Sequence, residues 1–365
     1  MRMQLLVDSD EFWRSLAADI QPATNYAFFQ TLSLEGDQAG KSLVAALRSS
    51  ACADRRILVD EYTKYIQNDR FLYTPRSLLD NTLRAKARDT RRLIEEARGA
   101  RIGIKFTNPV GPLLVRFAAR NHKKLMAIDD RVCYVGGMNF SEHNFAWHDL
   151  MLRIEDRDVT QFLRDDFLAT WKGEDVLRSD SFPGIEVHAY DGASNPRLFR
   201  RVFELMDGAR ASIFVESPYL TFPFVEKLGE AKRRGVPVTI VTPRENNHPA
   251  LKRYVIWEAA RSRFDLHLYP GRMNHVKAML IDDRWLILGS SNFDVLSYYL
   301  HQEIVAIVTA PDVIADFKRR VQGADLAASV PCDEAVSDRA GRRASRQIRW
   351  AAKVALLARR RHNAS

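Results

Sequence analysis

The sequence predicts an α/β protein made of two tandem copies of one unit, each a mixed β-sheet flanked by helices. Three observations carry this expectation. First, NHKKLMAIDDRVCYVGGMN (121–139) and NHVKAMLIDDRWLILGSSN (274–292) share N-H-x-K, an apolar run, D-D-R, a strand-like run, then Gly and Asn. Second, His122, Lys124, Asp129, Gly136 and Asn139 correspond to His275, Lys277, Asp282, Gly289 and Asn292, each pair offset by 153 residues without a gap. One H-x-K-x4-D match has chance odds of roughly one in fifty from residue frequencies, so two matches in register argue for duplication. Third, strand, helix and strand segments precede both motifs in the same order.

In chain order, NYAFFQTL (25–32) reads as a strand, GKSLVAALRSS as a helix and RRILVDEY as a second strand. Residues 68–100 contain TLRAKARDTRRLIEEARGA, a charged helix ending at Gly99 and read as a solvated surface helix. The first motif follows, then the strand DLMLRIE (149–155). A turn-rich join, SDSFPGIE (179–186), separates the halves. SIFVESPYL (212–220), FVEKLGEAKRRG and VPVTIVTP repeat the strand, helix, strand order, and EIVAIVT (303–309) follows the second motif. The expected boundaries are 1–180 and 181–330 for the two units and 331–365 for a basic tail. GDQAGKS (36–42) ends like a phosphate-binding loop but has three residues between its glycines instead of four, and is rejected.

Apolar content of 46% and charged content of 28% fit a soluble globular protein. Cys52, Cys133 and Cys332 are scattered and lack CxxC spacing, which argues against a disulfide framework or zinc site and for a reducing cytoplasm. The N-terminus lacks a signal-peptide core, and no run of about 18 apolar residues spans a membrane. Net charge is +9, yet Arg339 to Arg361 holds nine Lys/Arg and no acid, so residues 1–338 are neutral. A neutral body disfavours nucleic acid as a partner. In RQIRWAAKVALLARRR, Trp350, Val354 and Leu357 share one helical face, with Arg346, Arg349, Lys353 and Arg360 on an adjacent one. The expectation is a cytoplasmic protein held peripherally on the anionic inner face of the cell membrane by this tail.

The repeated motif suits phosphoryl chemistry. A neutral imidazole can attack phosphorus while an ammonium two residues away neutralises non-bridging oxygens. Two copies supply a nucleophile and a general acid, His122 and His275, with Lys124 and Lys277 in the place often taken by magnesium. Asn139, Asn292 and Ser290 or Ser291 are candidate phosphate donors. An orienting carboxylate is expected for each imidazole, and Asp149 and Glu303 open the strands that follow the motifs, 27 and 28 residues after the respective histidines. No Asp/Glu/His set at metal spacing is evident, so neither metal nor cofactor is expected, and His148, next to Asp149, is read as incidental. His143, His188, His248 and His267 read as ordinary surface or satisfied residues, and Cys133 as a small core residue.

At HKKLMAID…GGMN and HVKAMLID…GSSN the sequence resembles the phospholipase D superfamily, over about residues 20 to 310. The resemblance implies two phospholipase D-like units with the active site at their interface, and a covalent phosphohistidine on His122, with His275 as acid/base. It also implies cross-paired carboxylates, Glu303 orienting His122 and Asp149 orienting His275. Asp129 and Asp282 complete the motifs and are expected to hold the motif turn rather than touch substrate. WHDLMLRIED (147–156), SSNFDVLSYYLHQEI (290–304) and SPYL (217–220) are similar to segments of bacterial cardiolipin synthases, which makes Tyr219 a candidate substrate contact. That likeness implies transfer of a phosphatidyl group from an anionic glycerophospholipid to an alcohol such as phosphatidylglycerol. Hydrolysis of phospholipid is the alternative, and a metal-independent nuclease a more distant one. Departures from the synthase pattern at Leu296-Ser297, His301 and SEHN (141–144) bear on acceptor and head-group choice, with His301 a candidate for tuning it.

Overall fold

The computed structural model describes the backbone of residues 1–360 and the side chains through Leu357. It divides into two units, Met1–Ala146 with Leu150–Val176, and Trp147–Asp149 with the chain from Leu177 onward.

The first unit is a seven-stranded sheet built from β1 (Arg2–Val7), β2 (Tyr26–Thr31), β3 (Asp54–Asp60), β4 (Gly103–Thr107), β5 (Leu125–Ile128), β6 (Val132–Gly136) and β7 (Leu150–Glu155). Their order is β1-β7-β6-β5-β2-β3-β4. β2, β3 and β4 run parallel, joined through the helices Gln38–Ser49 and Asn81–Gly99, and the remaining pairs are antiparallel. Apolar strand residues such as Phe29, Ile57 and Tyr134 pack with Phe12, Leu43 and Leu93 from the covering helices. Asp37 and Asp80 cap those two crossover helices by accepting from Ala39 N at 3.1 Å and Leu83 N at 3.0 Å. The helix Asn81–Gly99 is not the solvated element its charge suggests. It buries Leu83, Ala87, Leu93, Ile94 and Ala97 at helical spacing, and only its outer face is charged.

The second unit repeats the plan with β8 (Arg178–Phe182), β9 (Ile185–Ala189), β10 (Ile213–Glu216), β11 (Val238–Pro243), β12 (Asp265–Tyr269), β13 (Ala278–Ile281), β14 (Trp285–Gly289), β15 (Ile304–Val308) and β16 (Val330–Pro331). The order is β8-β9-β15-β14-β13-β10-β11-β12-β16. Its central six, β15-β14-β13-β10-β11-β12, match β7-β6-β5-β2-β3-β4 in order and direction. The added strands β1 and β9 pair in the same way with β7 and β15, and β8 lies beyond β9 at the edge.

Each motif sits on a hairpin, β5–β6 or β13–β14. The D-D-R step is its turn: Asp129 and Asp130 have φ of 53° and 48°, Asp282 and Asp283 both 53°. Two consecutive left-handed residues make the turn whose twist matches paired strands, and aspartate tolerates that conformation better than most side chains. The motif glycines answer a different need. A Cβ on Gly136 would lie 2.4 Å from the Leu150 carbonyl oxygen, and one on Gly289 2.2 Å from that of Ile304. Only glycine permits the next strand to approach so closely.

The expected boundaries 1–180, 181–330 and 331–365 differ from the structural ones in two ways. Trp147–Asp149 joins the second unit although its flanks belong to the first. The tail is not separate: the helix Asp338–Arg360 buries Ala344, Ile348 and Ala352 in the second unit's core. It leaves Trp350, Val354 and Leu357 exposed. Arg360's side chain and residues 361–365 lie outside the described residues.

Candidate active site

The second motif is the more fully defined. The strip Trp147–Asp149 runs beside the residues leading into β13: His148 N donates to the Met273 carbonyl at 2.9 Å, and His275 N donates to the His148 carbonyl at 2.7 Å. This pairing sets Asp149 Oδ2 2.7 Å from His275 Nδ1. Lys277 Nζ lies 2.7 Å from the same ring nitrogen and 2.5 Å from the His275 carbonyl. A carboxylate can only accept and an ammonium only donate, so one Nδ1 cannot serve both. The charge-assisted bond to Asp149 takes the Nδ1 proton, and Lys277 donates to the carbonyl, with Asp149 Oδ2 at 3.8 Å. Proton exchange is thereby left to Nε2. The Trp147 ring packs 4.7 Å from the imidazole, and Tyr219 stands at 6.3 Å. Lys277 is fully buried, which pushes its pKa down to about 8 despite the nearby carboxylates of Asp149, Glu303 and Asp294.

The first motif is held by a comparable frame. Lys124 Nζ, also buried, donates to the His122 carbonyl at 2.8 Å. Asp60, at the end of β3, accepts from Arg120 Nη1 at 2.7 Å and from Asn121 N at 2.5 Å. Burial pushes the Asp60 carboxyl up to about 6, against the pull of Arg120. Lys123 Nζ points away from the motif to Asp166, 2.8 Å from both carboxylate oxygens.

Asp129 and Asp282 face backbone. Asp129 accepts from the amides of Thr24, Asn25 and Tyr26 at 2.7–2.9 Å, and Asp282 from those of Arg210, Ala211 and Ser212 at 2.7–3.1 Å. Each ties its motif turn to the start of the parallel strand beside it. With their oxygens so occupied, neither is a candidate for contact with phosphate, which removes both from the chemical set.

Sequence reasoning missed a second matched pair. Aligning the two sets of amides sets Gln30 against Glu216. Gln30 Nε2 donates to Asn121 Oδ1 at 2.7 Å, and Glu216 accepts from Asn274 Nδ2. Each asparagine immediately precedes a motif histidine, and its Oδ1 also accepts from the amide two residues on. The shared N of N-H-x-K was the available signal. His148, expected to be incidental, is instead part of the frame. It is buried, stacked on Tyr269, donates Nε2–H to Asp325 at 2.9 Å and accepts at Nδ1 from Arg272 at 3.1 Å. His148, Glu216 and Asp325 bring their ligand-type atoms within 4.8 Å of one another, a grouping hidden in the sequence by its long separations. Arg272 keeps the proton on Nε2, so the group reads as a proton-bearing clamp on Asn274 and the strip. Burial, then the Asp325 charge, pushes the Glu216 pKa well above normal.

The remaining candidates separate by occupation. Ser290 Oγ donates to Glu303, which also accepts from Ser297 Oγ at 2.8 Å and has His301 Nδ1 at 3.6 Å. Ser290 is thus a support for Glu303. Ser291 Oγ and Asn292 Oδ1 are buried without a hydrogen-bond partner among the described residues; the hydroxyl can donate to an anion, whereas the amide oxygen can only accept. Asn139 Oδ1 lies 3.2 Å from Thr31 Oγ1. Tyr219 OH donates to Asn247 at 2.5 Å.

A family model described as "Cardiolipin synthase, PLD-like domain" matches residues 16–171 and 202–323. The chain is 25% identical over 337 residues to cardiolipin synthase B of Salmonella typhi, covering 84% of this chain and 76% of that protein. It is 24% identical over 349 residues to cardiolipin synthase of Staphylococcus aureus (strain Mu50), covering 87% and 66% respectively. Among solved structures, phosphatidylserine synthase of Haemophilus influenzae Rd KW20 aligns with a TM-score of 0.73 at 14% identity, covering 96% of this chain and 94% of that one, a likeness of fold.

Proposed function

Because this chain belongs to the cardiolipin synthase, phospholipase D-like family, we propose that it transfers a phosphatidyl group from an anionic glycerophospholipid to an alcohol acceptor such as phosphatidylglycerol. The observation that carries the reading is the Asp149–His275 pair, with Lys277 buried beside it. It is an oriented imidazole beside a buried cation.

In this mechanism Nε2 of His122 attacks phosphorus, forming a P–N bond as the bond to the leaving alcohol oxygen breaks. His275 gives its Nε2 proton to that oxygen. The acceptor hydroxyl then returns a proton to His275 while its oxygen attacks phosphorus and the P–N bond breaks. Asp149 holds the Nδ1 proton throughout, which stabilises the imidazolium and keeps proton traffic on Nε2. Lys124 and Lys277 balance charge on the non-bridging oxygens, and Ser291 Oγ offers a hydrogen bond to them. The exposed Trp350, Val354 and Leu357, among basic residues of the same helix, suit an anionic bilayer surface. No helix among the described residues is long and apolar enough to cross a membrane.

The test is to incubate the purified protein with phosphatidylglycerol vesicles and follow lipids by mass spectrometry. Cardiolipin with free glycerol is expected, while phosphatidic acid alone would assign hydrolysis. Neither product, with metal-independent cutting of plasmid DNA, would sink the lipid reading. His122→Ala should lower turnover by about three orders of magnitude or more.

A further inference from the structure

We propose that the first unit carries its own bilayer-docking lip, formed by residues 70–79 and 110–117, which dips into the acyl layer of an anionic membrane. The inference rests on the lipid-substrate reading above and is separate from the C-terminal helix.

Five large apolar side chains stand in solvent on these two short segments: Leu113 is 96% exposed, Leu79 83%, Tyr73 51%, Leu78 47% and Val115 46%. Scattered exposed leucines are ordinary, but several on two segments packed together mark a surface meant to be covered. The segments are tied from beneath by rings: Phe71 lies 5.7 Å from Tyr73 and 5.9 Å from Phe117, and Phe117 lies 6.0 Å from Tyr62. Leu113 and Leu114 adopt φ of 53° and 57°, a left-handed backbone that bulky side chains rarely accept.

Charge selects the occupant. Residues 61–120 hold thirteen Lys/Arg against six Asp/Glu, a net +7, although residues 1–338 sum to zero. Arg76 is exposed within the lip itself. Apolar tips in a basic field suit a surface with anionic head groups above hydrocarbon. The placement is also purposeful. Residues 110–117 lead within five residues to His122, and Asp60 clamps Arg120 and Asn121 in between. A lip seated among lipids would therefore bring the first motif to the level of its substrate.

The test uses the full-length chain with Leu79→Asp/Leu113→Asp. Co-flotation with phosphatidylglycerol vesicles and turnover of vesicle lipid should each fall by roughly tenfold or more, while hydrolysis of a soluble chromogenic phosphodiester stays unchanged. Leu79→Phe/Leu113→Phe should keep vesicle binding, which separates lost insertion from misfolding. Unaltered flotation of the aspartate variant would overturn the proposal. So would a change of oligomeric state by light scattering with vesicle binding intact, since the patch would then be a protein interface. Failure of the enzymatic reading would show separately, as a wild-type protein that floats but turns over neither lipid nor soluble diester.

Discussion

Asp149 and Lys277 constrain His275 in ways that kinetics can separate. Asp149→Asn keeps the shape but can present an N–H to Nδ1, favouring the wrong tautomer, and turnover should drop by about a hundredfold or more. Stopped assays on a soluble diester would check this, and near-normal rates would remove Asp149 from the mechanism. Burial lowers the Lys277 pKa to about 8, so its charge is present below that value and lost above it. kcat/KM should therefore decline as the pH rises through about 8, and Lys277→Arg should move that limb upward, because guanidinium stays protonated. A pH–rate profile unaffected by the arginine would assign the limb to another group. Asp149 was legible in the sequence because its spacing from one histidine mirrors that of Glu303 from the other. The Gln30–Asn121 and Glu216–Asn274 bonds were not, since their partners lie 91 and 58 residues apart with no motif linking them.

The motif hairpins couple chemistry to the sheet. Asp282 is partly buried, which alone would raise its pKa, but amides of Ser212, Ala211 and Arg210 outweigh that and hold it below normal. Its stabilisation is thus present above the ordinary aspartate range and lost as the pH falls through the depressed value. Asp129→Ala or Asp282→Ala should each destabilise its unit by about 1–3 kcal/mol in chemical denaturation. Glu216 has the opposite sign. Its raised pKa favours the neutral form in the fold, so the native protein should lose stability relative to Glu216→Gln as the pH rises above about 4.5. Because the first copy already has Gln30 there, Glu216→Gln should retain activity. Identical melting curves for both proteins across pH 5–9 would contradict this. Strands flanking the motifs were readable from apolar β-branched runs. β1 was not, because RMQLLV is recognisable as a strand only through its pairing with β7.

Across the whole molecule, the C-terminal helix belongs to both core and surface. Truncation at Asp338 would strip Ala344, Ile348 and Ala352 from the second unit's core and leave Trp257 bare, so loss of membrane binding would be confounded with unfolding. Trp350→Ala/Leu357→Ala touches only exposed positions. It should weaken vesicle flotation with little change in melting temperature, and full binding by this variant would exclude an anchoring role. Composition located the helix's charge, but its dual allegiance depended on Gly341, where a Cβ would fall 2.0 Å from the Trp257 ring.

The three-residue strip Trp147–Asp149 gives the duplicated protein an asymmetry of inheritance. A gene fragment beginning at Leu177 encodes nearly all of the second unit yet omits the carboxylate that orients His275. The carboxyl-terminal half expressed alone would therefore hold His275 without its orienting carboxylate. Split-protein complementation should tolerate a break near residue 176 only if the amino-terminal piece lays this strip beside the residues leading into β13.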